Sequence, residues 1–268
     1  MIRLTREVRF SVDRDWSERI SLARPITNAW AGWPSAVGIT PYLTLRATLS
    51  GEPDAQTGYL CNIREIDRLL RAHAIPLIAR RLQESGWRVA AETLLIEIWR
   101  GLGEGLPADA RLAQLELAVT PYLRYALDAE DATMVRMTQQ FEFSAAHRLH
   151  CPELSDEDNR SLFGKCNNPS GHGHNYVVDV TIGGDAGEPG GVLLPLPRFE
   201  AIVQERVIDR LDHKHLNVDT PYFRDLNPSV ENIARVVFDL LDGHLAPARL
   251  ISVRVYETPK TWADYVRG

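Results

Sequence analysis

Three histidines in the second half of the chain have the spacing of a metal site. His172 and His174 are separated by one residue and lead into NYVVDV, a segment that predicts a strand. Residues two apart on a strand project from the same face, so the two imidazoles can converge on one ion. His147 lies on or just beyond a second predicted strand and can supply a third nitrogen. Imidazole suits zinc, and catalytic zinc sites commonly use three protein ligands, which leaves a position open for substrate.

A candidate thiol lies close in sequence to the histidine pair. Cys166 belongs to the Gly- and Asn-rich loop GKCNNPSG, and Lys165 beside it would favour the thiolate. This arrangement indicates a base that acts on a substrate held by the metal. The alternative is that the histidines are ordinary core or surface residues with hydrogen-bond partners.

The elements that must position these residues occur twice along the chain. Phe10 and Phe143 lie on similar alternating segments, 133 positions apart. Tyr42 and Tyr176 begin the strands that follow, at an offset of 134. Both strands are short, rich in β-branched residues and ended by glycine.

Two segments with helical periodicity follow the strands in each half. The four segments begin at Thr57, Ala91, Gly190 and Ser229. Ser229 comes directly after Pro228 and is a predicted N-cap. Each half then ends on an alternating strand with a Thr-Pro pair, at Thr120 and Thr258.

This order of elements predicts an α+β fold of two modules with antiparallel sheets and helices on one face. The modules are expected at residues 1–130 and 135–268, with a linker near Ala129 to Met134. The alternative is chance similarity, because identities are few and the offset drifts; the shared order of features supports the repeat.

Five motifs of the second half resemble the 6-pyruvoyl-tetrahydropterin synthase family, in the same order. They are FSAAHRL, GKCNNPSGHGHNY, LDHKHLN, NPSVENIA and VYET. The resemblance covers Phe141 to Tyr265. It implies the tunnelling fold (T-fold), a four-stranded antiparallel sheet with two helices on one face, and zinc as the cofactor; together with the repeat, this predicts two tandem T-fold modules.

The resemblance also implies roles for individual residues. The zinc ligands would be His147, His172 and His174. Cys166 would be the general base, and Asp212 with His213 would complete the proton-transfer set. Glu257 would anchor the pterin ring, with Glu231 as a further substrate-binding residue.

The reaction implied is the conversion of 7,8-dihydroneopterin triphosphate to 6-pyruvoyl-tetrahydropterin, with elimination of triphosphate. The alternative is 6-carboxy-5,6,7,8-tetrahydropterin synthase of the queuosine pathway, which uses the same substrate. Five residues separate Cys166 from His172, a spacing that favours the pyruvoyl enzymes. A third possibility is a non-catalytic pterin-binding scaffold.

The first half cannot repeat this chemistry. At the repeat offsets, Gly38 and Thr40 stand where His172 and His174 would be, and Val119 stands for Glu257. The first module is therefore expected to be a degenerate copy without a metal site. Three two-module chains would supply six modules, the number usual for the pyruvoyl enzymes, so a homotrimer is expected.

The composition of the chain indicates its class of protein and argues against some classes of partner. The chain has 268 residues, 44% of them hydrophobic and 25% charged, as expected of a globular protein. The net charge of -6 argues against a general nucleic-acid surface. No segment has a membrane span or a signal peptide, and three cysteines suggest free thiols, so a cytoplasmic protein without a membrane or nucleic-acid partner is expected.

Overall fold

The computed structural model describes residues 1–12, 39–103, 105–106, 110–185 and 193–266. The chain divides into two compact units, which are Met1–Met137 with Gly184–Leu193 and Thr138–Gly183 with Leu194–Gly268. Each unit combines helices with antiparallel strand pairs, which confirms the predicted α+β class. In the described part of the chain, no helix has both the length and the apolar character needed to cross a bilayer.

The first unit has four complete strands and two helices within its described residues. They are β1 (Ile2–Ser11), β2 (Tyr42–Gly51), α1 (Ile63–Glu84), α2 (Ala91–Gly103), β3 (Ala110–Thr120) and β4 (Leu123–Asp128). Consecutive strands pair antiparallel, from β1 with β2 to β3 with β4. The helices pack on these strands, and alternate strand residues such as Leu45 and Leu115 are fully buried.

The second unit is built on β5 (Asp131–His147), which belongs to it from Thr138 onward. The later elements are α3 (Asp156–Phe163), β6 (His172–Asp185), α4 (Leu196–Val203), α5 (Asp209–Leu211), β7 (Lys214–His215), α6 (Leu216–Asp219), α7 (Val230–Leu241), β8 (Arg249–Thr258) and β9 (Thr261–Val266). The strand order is β5-β6-β8-β9, and β7 runs parallel to β5 on its other side.

Helix α7 forms as the sequence predicts. Ser229 is its N-cap, with the side-chain oxygen accepting from the Asn232 N–H at 3.5 Å. Ile233, Val237 and Phe238 recur at helical spacing and are fully buried, so this face packs on β8 and β9.

The long helix predicted from Gly190 differs from the observed structure. Gly190 lies outside the described residues, and helix α4 begins at Leu196 and ends at Val203. A π-turn then covers Gln204–Ile208, and α5 ends at Leu211. The chain then leaves the helix because the His213 N–H donates to the Ser144 carbonyl of β5 at 2.6 Å. The apolar periodicity continues to Leu216 and gives no sign of this exit.

The first helix and the expected linker also differ in their bounds. The helix placed from Thr57 starts at Ile63, because the Asn62 side chain caps it by accepting from the Arg64 N–H at 3.0 Å. The segment expected as a linker holds only a two-residue turn, since β4 ends at Asp128 and β5 begins at Asp131. The module boundaries stay a prediction.

The two units share irregularities at matching positions. The β2–β3 register shifts between Thr48 and Leu49, and the β6–β8 register shifts between Thr181 and Ile182. The Thr48 hydroxyl lies 2.8 Å from that of Thr5. Thr181 and Thr138 form the equivalent pair at 2.9 Å, and both residues are 133 positions further along the chain.

Candidate metal centre

The three predicted ligands meet at the ends of neighbouring strands. His172 and His174 lie on the same face of β6, and His147 is the last residue of β5. Nε2 of His147 lies 3.0 Å from Nε2 of His172. The ring centroids of His147 and His174 are 5.2 Å apart, and those of His172 and His174 are 4.9 Å apart.

Glu257, near the end of β8, completes the cluster. Its Oε1 lies 3.3 Å from Nε2 of His147 and 3.3 Å from Nε2 of His174. One ligand atom from each of these four residues lies within 4.8 Å of all the others. The family resemblance predicts that Glu257 binds the pterin, whereas this geometry also allows Glu257 to act as a fourth metal ligand.

The chemistry of the donor set fits a metal ion. Nδ1 of His147 is held by the Pro228 carbonyl at 2.7 Å, which leaves Nε2 to face the cluster. Burial is the main cause that lowers the pKa of His147 to about 4, and the neighbouring His172 and His174 contribute to that shift, so the imidazole is neutral at pH 7. Nε2 of His174 is buried and accepts no hydrogen bond within the described residues. Convergent imidazoles, with His147 held neutral and a buried nitrogen of His174 left without a hydrogen bond, are suited to zinc.

Cys166 lies in the short 3₁₀ turn Gly164–Asn167, and its side chain is partly buried. Burial raises the pKa of this thiol, and the negative charge of Glu257 raises it further. The direction is therefore opposite to the one expected from Lys165 in the sequence. The charge that acts on the Cys166 thiol in the folded chain is that of Glu257, a residue of the cluster.

Asp212 and His213 form the hydrogen-bonded pair that the sequence analysis predicts. Nδ1 of His213 lies 2.7 Å from Oδ2 of Asp212, while Oδ1 accepts from the Ser144 N–H at 2.8 Å. The Ser144 N–H lowers the pKa of Asp212, and the bond to His213 lowers it as well. The His213 side chain is 83% exposed. It shares an open cleft of about 520 Å³ with His174.

Known proteins resemble the half of the chain that carries this site. The family model described as 6-pyruvoyl tetrahydropterin synthase matches residues 136–268. The 6-pyruvoyl tetrahydrobiopterin synthase of Homo sapiens is 44% identical over 130 residues, which are 48% of this chain and 90% of the relative. The chain belongs to the 6-pyruvoyl tetrahydropterin synthase family. The resemblance inferred from the five motifs is thereby confirmed.

Two further comparisons each cover about half of the chain. The solved structure of Caenorhabditis elegans 6-pyruvoyl tetrahydropterin synthase is 38% identical, covers 50% of this chain and 96% of its own, and has a TM-score of 0.48. The 6-carboxy-5,6,7,8-tetrahydropterin synthase of Haemophilus influenzae is 26% identical over an alignment of 152 residues that covers 49% of this chain and 99% of the relative.

Two sequence-based predictions concern residues outside this cluster. Glu231 is exposed in the first turn of α7, and within the described residues it forms no hydrogen bond or ion pair with a cluster residue. Its role in substrate binding stays a prediction. In the first unit, Gly38 lies outside the described residues, and no group of metal-ligating side chains was found in the described part of that unit.

Tyr176 and Pro228 contact the predicted metal ligands, although their sequence positions alone did not assign them to the site. Tyr176 is fully buried, stacks on Phe143 with ring centroids 5.0 Å apart, and lies edge-on to His174 at 5.6 Å. Alternation along β6 could have identified it, since it is two residues beyond His174. The contact from the Pro228 carbonyl to His147 has no comparable sequence signal, because it joins residues 81 apart.

Proposed function

We propose that this chain is a zinc-dependent 6-pyruvoyl-tetrahydropterin synthase. Its substrate is 7,8-dihydroneopterin triphosphate, which it converts to 6-pyruvoyl-tetrahydropterin with elimination of triphosphate. The observation that carries the proposal is the convergence of His147, His172, His174 and Glu257 within 4.8 Å. This convergence occurs in the half of the chain that is 44% identical to a 6-pyruvoyl tetrahydrobiopterin synthase.

The three histidines hold the zinc ion in this proposal. When bound, zinc acts as a Lewis acid that polarises a substrate oxygen and stabilises the negative charge formed on removal of the neighbouring C–H proton. The histidines are suited to this task because burial keeps His147 neutral and the Pro228 carbonyl fixes its ring. Three protein ligands leave a coordination position for substrate.

Glu257 binds the pterin rather than completing the metal sphere. A carboxylate matches the paired N–H donors of the pterin edge, and such charge-assisted bonds are strong and oriented. Its Oε1 lies 3.3 Å from Nε2 of both His147 and His174, so a pterin bound there lies beside the metal ligands. Glu231 is a second, weaker contact in this proposal.

Cys166 and the Asp212–His213 pair move the protons. Cys166 accepts a proton from a side-chain carbon of the substrate in its thiolate form, and it must first lose its own proton against the raised pKa that burial and Glu257 give the thiol. The Asp212 carboxylate can only accept, so the 2.7 Å bond places a proton on Nδ1 of His213 and leaves Nε2 free for proton transfer. The positions of Asp212 and His213 depend on β5, because both bond to the backbone of Ser144.

One alternative reaction has an observation in its favour. A 6-carboxy-5,6,7,8-tetrahydropterin synthase of Haemophilus influenzae matches 99% of its own length to this chain. Its identity is 26%, against 44% for the pyruvoyl relative from Homo sapiens. The five residues between Cys166 and His172 also favour the pyruvoyl product.

A tandem pair of T-fold modules, at residues 1–130 and 135–268, is the architecture we propose for this enzyme. The support is the matching pair of threonine bridges and register shifts in the two units, 133 positions apart. The first module is a degenerate copy, and three chains associate as a homotrimer. A light-scattering mass of three chains is expected, and a monomer mass would contradict this assembly.

The proposed activity is tested by release of triphosphate from 7,8-dihydroneopterin triphosphate by the zinc-loaded protein. Release is expected from the wild-type chain and from the Cys61→Ala variant, whose substitution lies in the first unit. A zinc-loaded wild-type protein that binds the substrate without turnover would instead identify a pterin-binding scaffold.

A further inference from the structure

Hydrogen bonds in both directions join Cys166 and Asn167 to the two residues that follow His147 in the chain. Leu149 donates its N–H to the Cys166 carbonyl at 2.8 Å. Nδ2 of Asn167 donates to the Leu149 carbonyl at 2.8 Å, and Nε of Arg148 donates to the Asn167 carbonyl at 3.2 Å. The turn that carries the thiol is thus bonded to the segment that continues from a metal ligand.

Asn167 is a buried residue whose side chain links the Cys166 turn to the segment after His147. It is only 6% exposed, although it lies in a polar loop. Besides Leu149, its Nδ2 approaches Nδ1 of His150 at 3.1 Å. Arg148 reaches the same nitrogen of His150 with Nη2 at 3.3 Å. A buried amide whose donors are used in this way resists displacement, because moving it would leave polar groups unpaired.

The strand end is fixed independently of this link. Asn217 accepts from the Arg148 N–H at 2.9 Å and donates to the Arg148 carbonyl at 3.0 Å. Asn227 accepts from the His150 N–H at 3.2 Å. Because β5 is held from this other side, His147 does not depend on Asn167 for its position. The Asn167 side chain therefore ties the Cys166 turn to a segment that is already fixed.

We propose that Asn167 is a positioning residue that sets the place of Cys166 relative to His147. The inference rests on the proposed function, in which these two residues act on the same substrate. A base displaced by about 1 Å can cost on the order of 100-fold in rate, so a link of this kind controls turnover without touching the substrate.

The test compares Asn167→Ala with Asn159→Ala. Asn159 is an equally suitable buried amide, fully buried and bonded to the Cys151 and Leu154 carbonyls at 2.8 and 3.1 Å, and within the described residues it forms no hydrogen bond with Cys166 or Asn167. For each purified, zinc-loaded protein we would measure bound zinc, kcat, KM, melting temperature, and the rate at which iodoacetamide alkylates Cys166, located by peptide mass spectrometry.

We expect Asn167→Ala to keep its zinc and its KM, to lose kcat by about tenfold or more relative to Asn159→Ala, and to alkylate faster at Cys166. Equal kcat values in the two variants with a similar fall in melting temperature would overturn the proposal. So would loss of zinc from Asn167→Ala, because the link would then serve His147. If the wild-type chain proved inactive, the proposed function would fail, and an unchanged alkylation rate would separately overturn the positioning role.

A second variant covers the case in which Asn167→Ala does not fold. Arg148→Met removes the Nε donor to the Asn167 carbonyl, while Asn217 still holds the backbone of residue 148. The same pattern is expected, with zinc retained, kcat lowered and alkylation of Cys166 accelerated. Wild-type values of kcat and alkylation in this variant would contradict the link.

Discussion

Oε1 of Glu257 lies 3.3 Å from Nε2 of His147, although only one of these two residues is a proposed metal ligand. A carboxylate this close to the cluster can bind either the ion or the pterin. The two roles differ in what removal of the negative charge would do, and that difference can be measured.

The Glu257→Gln variant is expected to retain its zinc and to bind substrate more weakly. A hydrogen bond to a charged group contributes about 1.5–3 kcal/mol, so KM should rise by about 10- to 100-fold. Bound zinc measured by atomic absorption and KM measured on the same preparation test this. Loss of zinc would instead identify Glu257 as a ligand.

His172→Ala and Cys166→Ala are expected to separate metal binding from proton transfer. The first should lose zinc, because it removes one of three proposed ligands. The second should keep zinc and lose about 100- to 10,000-fold in kcat, the usual contribution of a general base. His244→Ala, an exposed histidine after α7, is the matched control and should retain both. A fully active Cys166→Ala protein would exclude Cys166 as the base.

Gly171→Ala is expected to weaken the metal site without altering a ligand. Gly171 has a φ of +74°, and a Cβ there would lie 2.6 Å from Nε2 of His215 and 3.1 Å from the His147 carbonyl. Gly243 has a φ of +77° but open space around it, so Gly243→Ala carries the same backbone strain without the clash. Zinc affinity should fall by about 10- to 100-fold only in Gly171→Ala. Equal affinities, measured by competition with a chelator, would argue against this packing.

Glu92 provides a pH test in the first unit. Its side chain is 4% exposed, and burial raises its pKa. The folded state therefore holds this proton more tightly than the unfolded chain does, and stability is lost as the pH rises through the raised pKa. Glu92→Gln should melt at a higher temperature than the wild type at pH 7.5, and the difference should disappear near pH 4. A lower melting temperature for the variant at pH 7.5 would contradict the buried carboxyl.

The sequence predicts local structure well wherever one periodicity determines it. The alternation after His174 and the amphipathic face around Phe238 were enough to predict β6 and α7. The break after Leu211 could not be predicted, because it depends on a hydrogen bond from His213 to Ser144, 69 residues away in sequence.

The candidate site also combines features that the local sequence predicts with features that depend on contacts between distant residues. The spacing of His172 and His174 is enough to predict that both side chains lie on one face of a strand. The family motifs are enough to predict that His147, Asp212 and His213 belong to the site. The amide of Asn167 could not be distinguished from an ordinary loop residue, since its partners Leu149 and His150 are adjacent only in the folded chain. The raised pKa of Cys166 likewise depends on burial and on Glu257, neither of which the neighbouring Lys165 reveals.

The identity of the product tests the central claim most directly. Zinc-loaded protein would be incubated with 7,8-dihydroneopterin triphosphate, and the pterin and any small carbonyl product would be identified by mass spectrometry. We predict a 6-pyruvoyl-tetrahydropterin and released triphosphate. A 6-carboxylated pterin together with acetaldehyde would contradict this account and assign the chain to the carboxy-forming branch of the family.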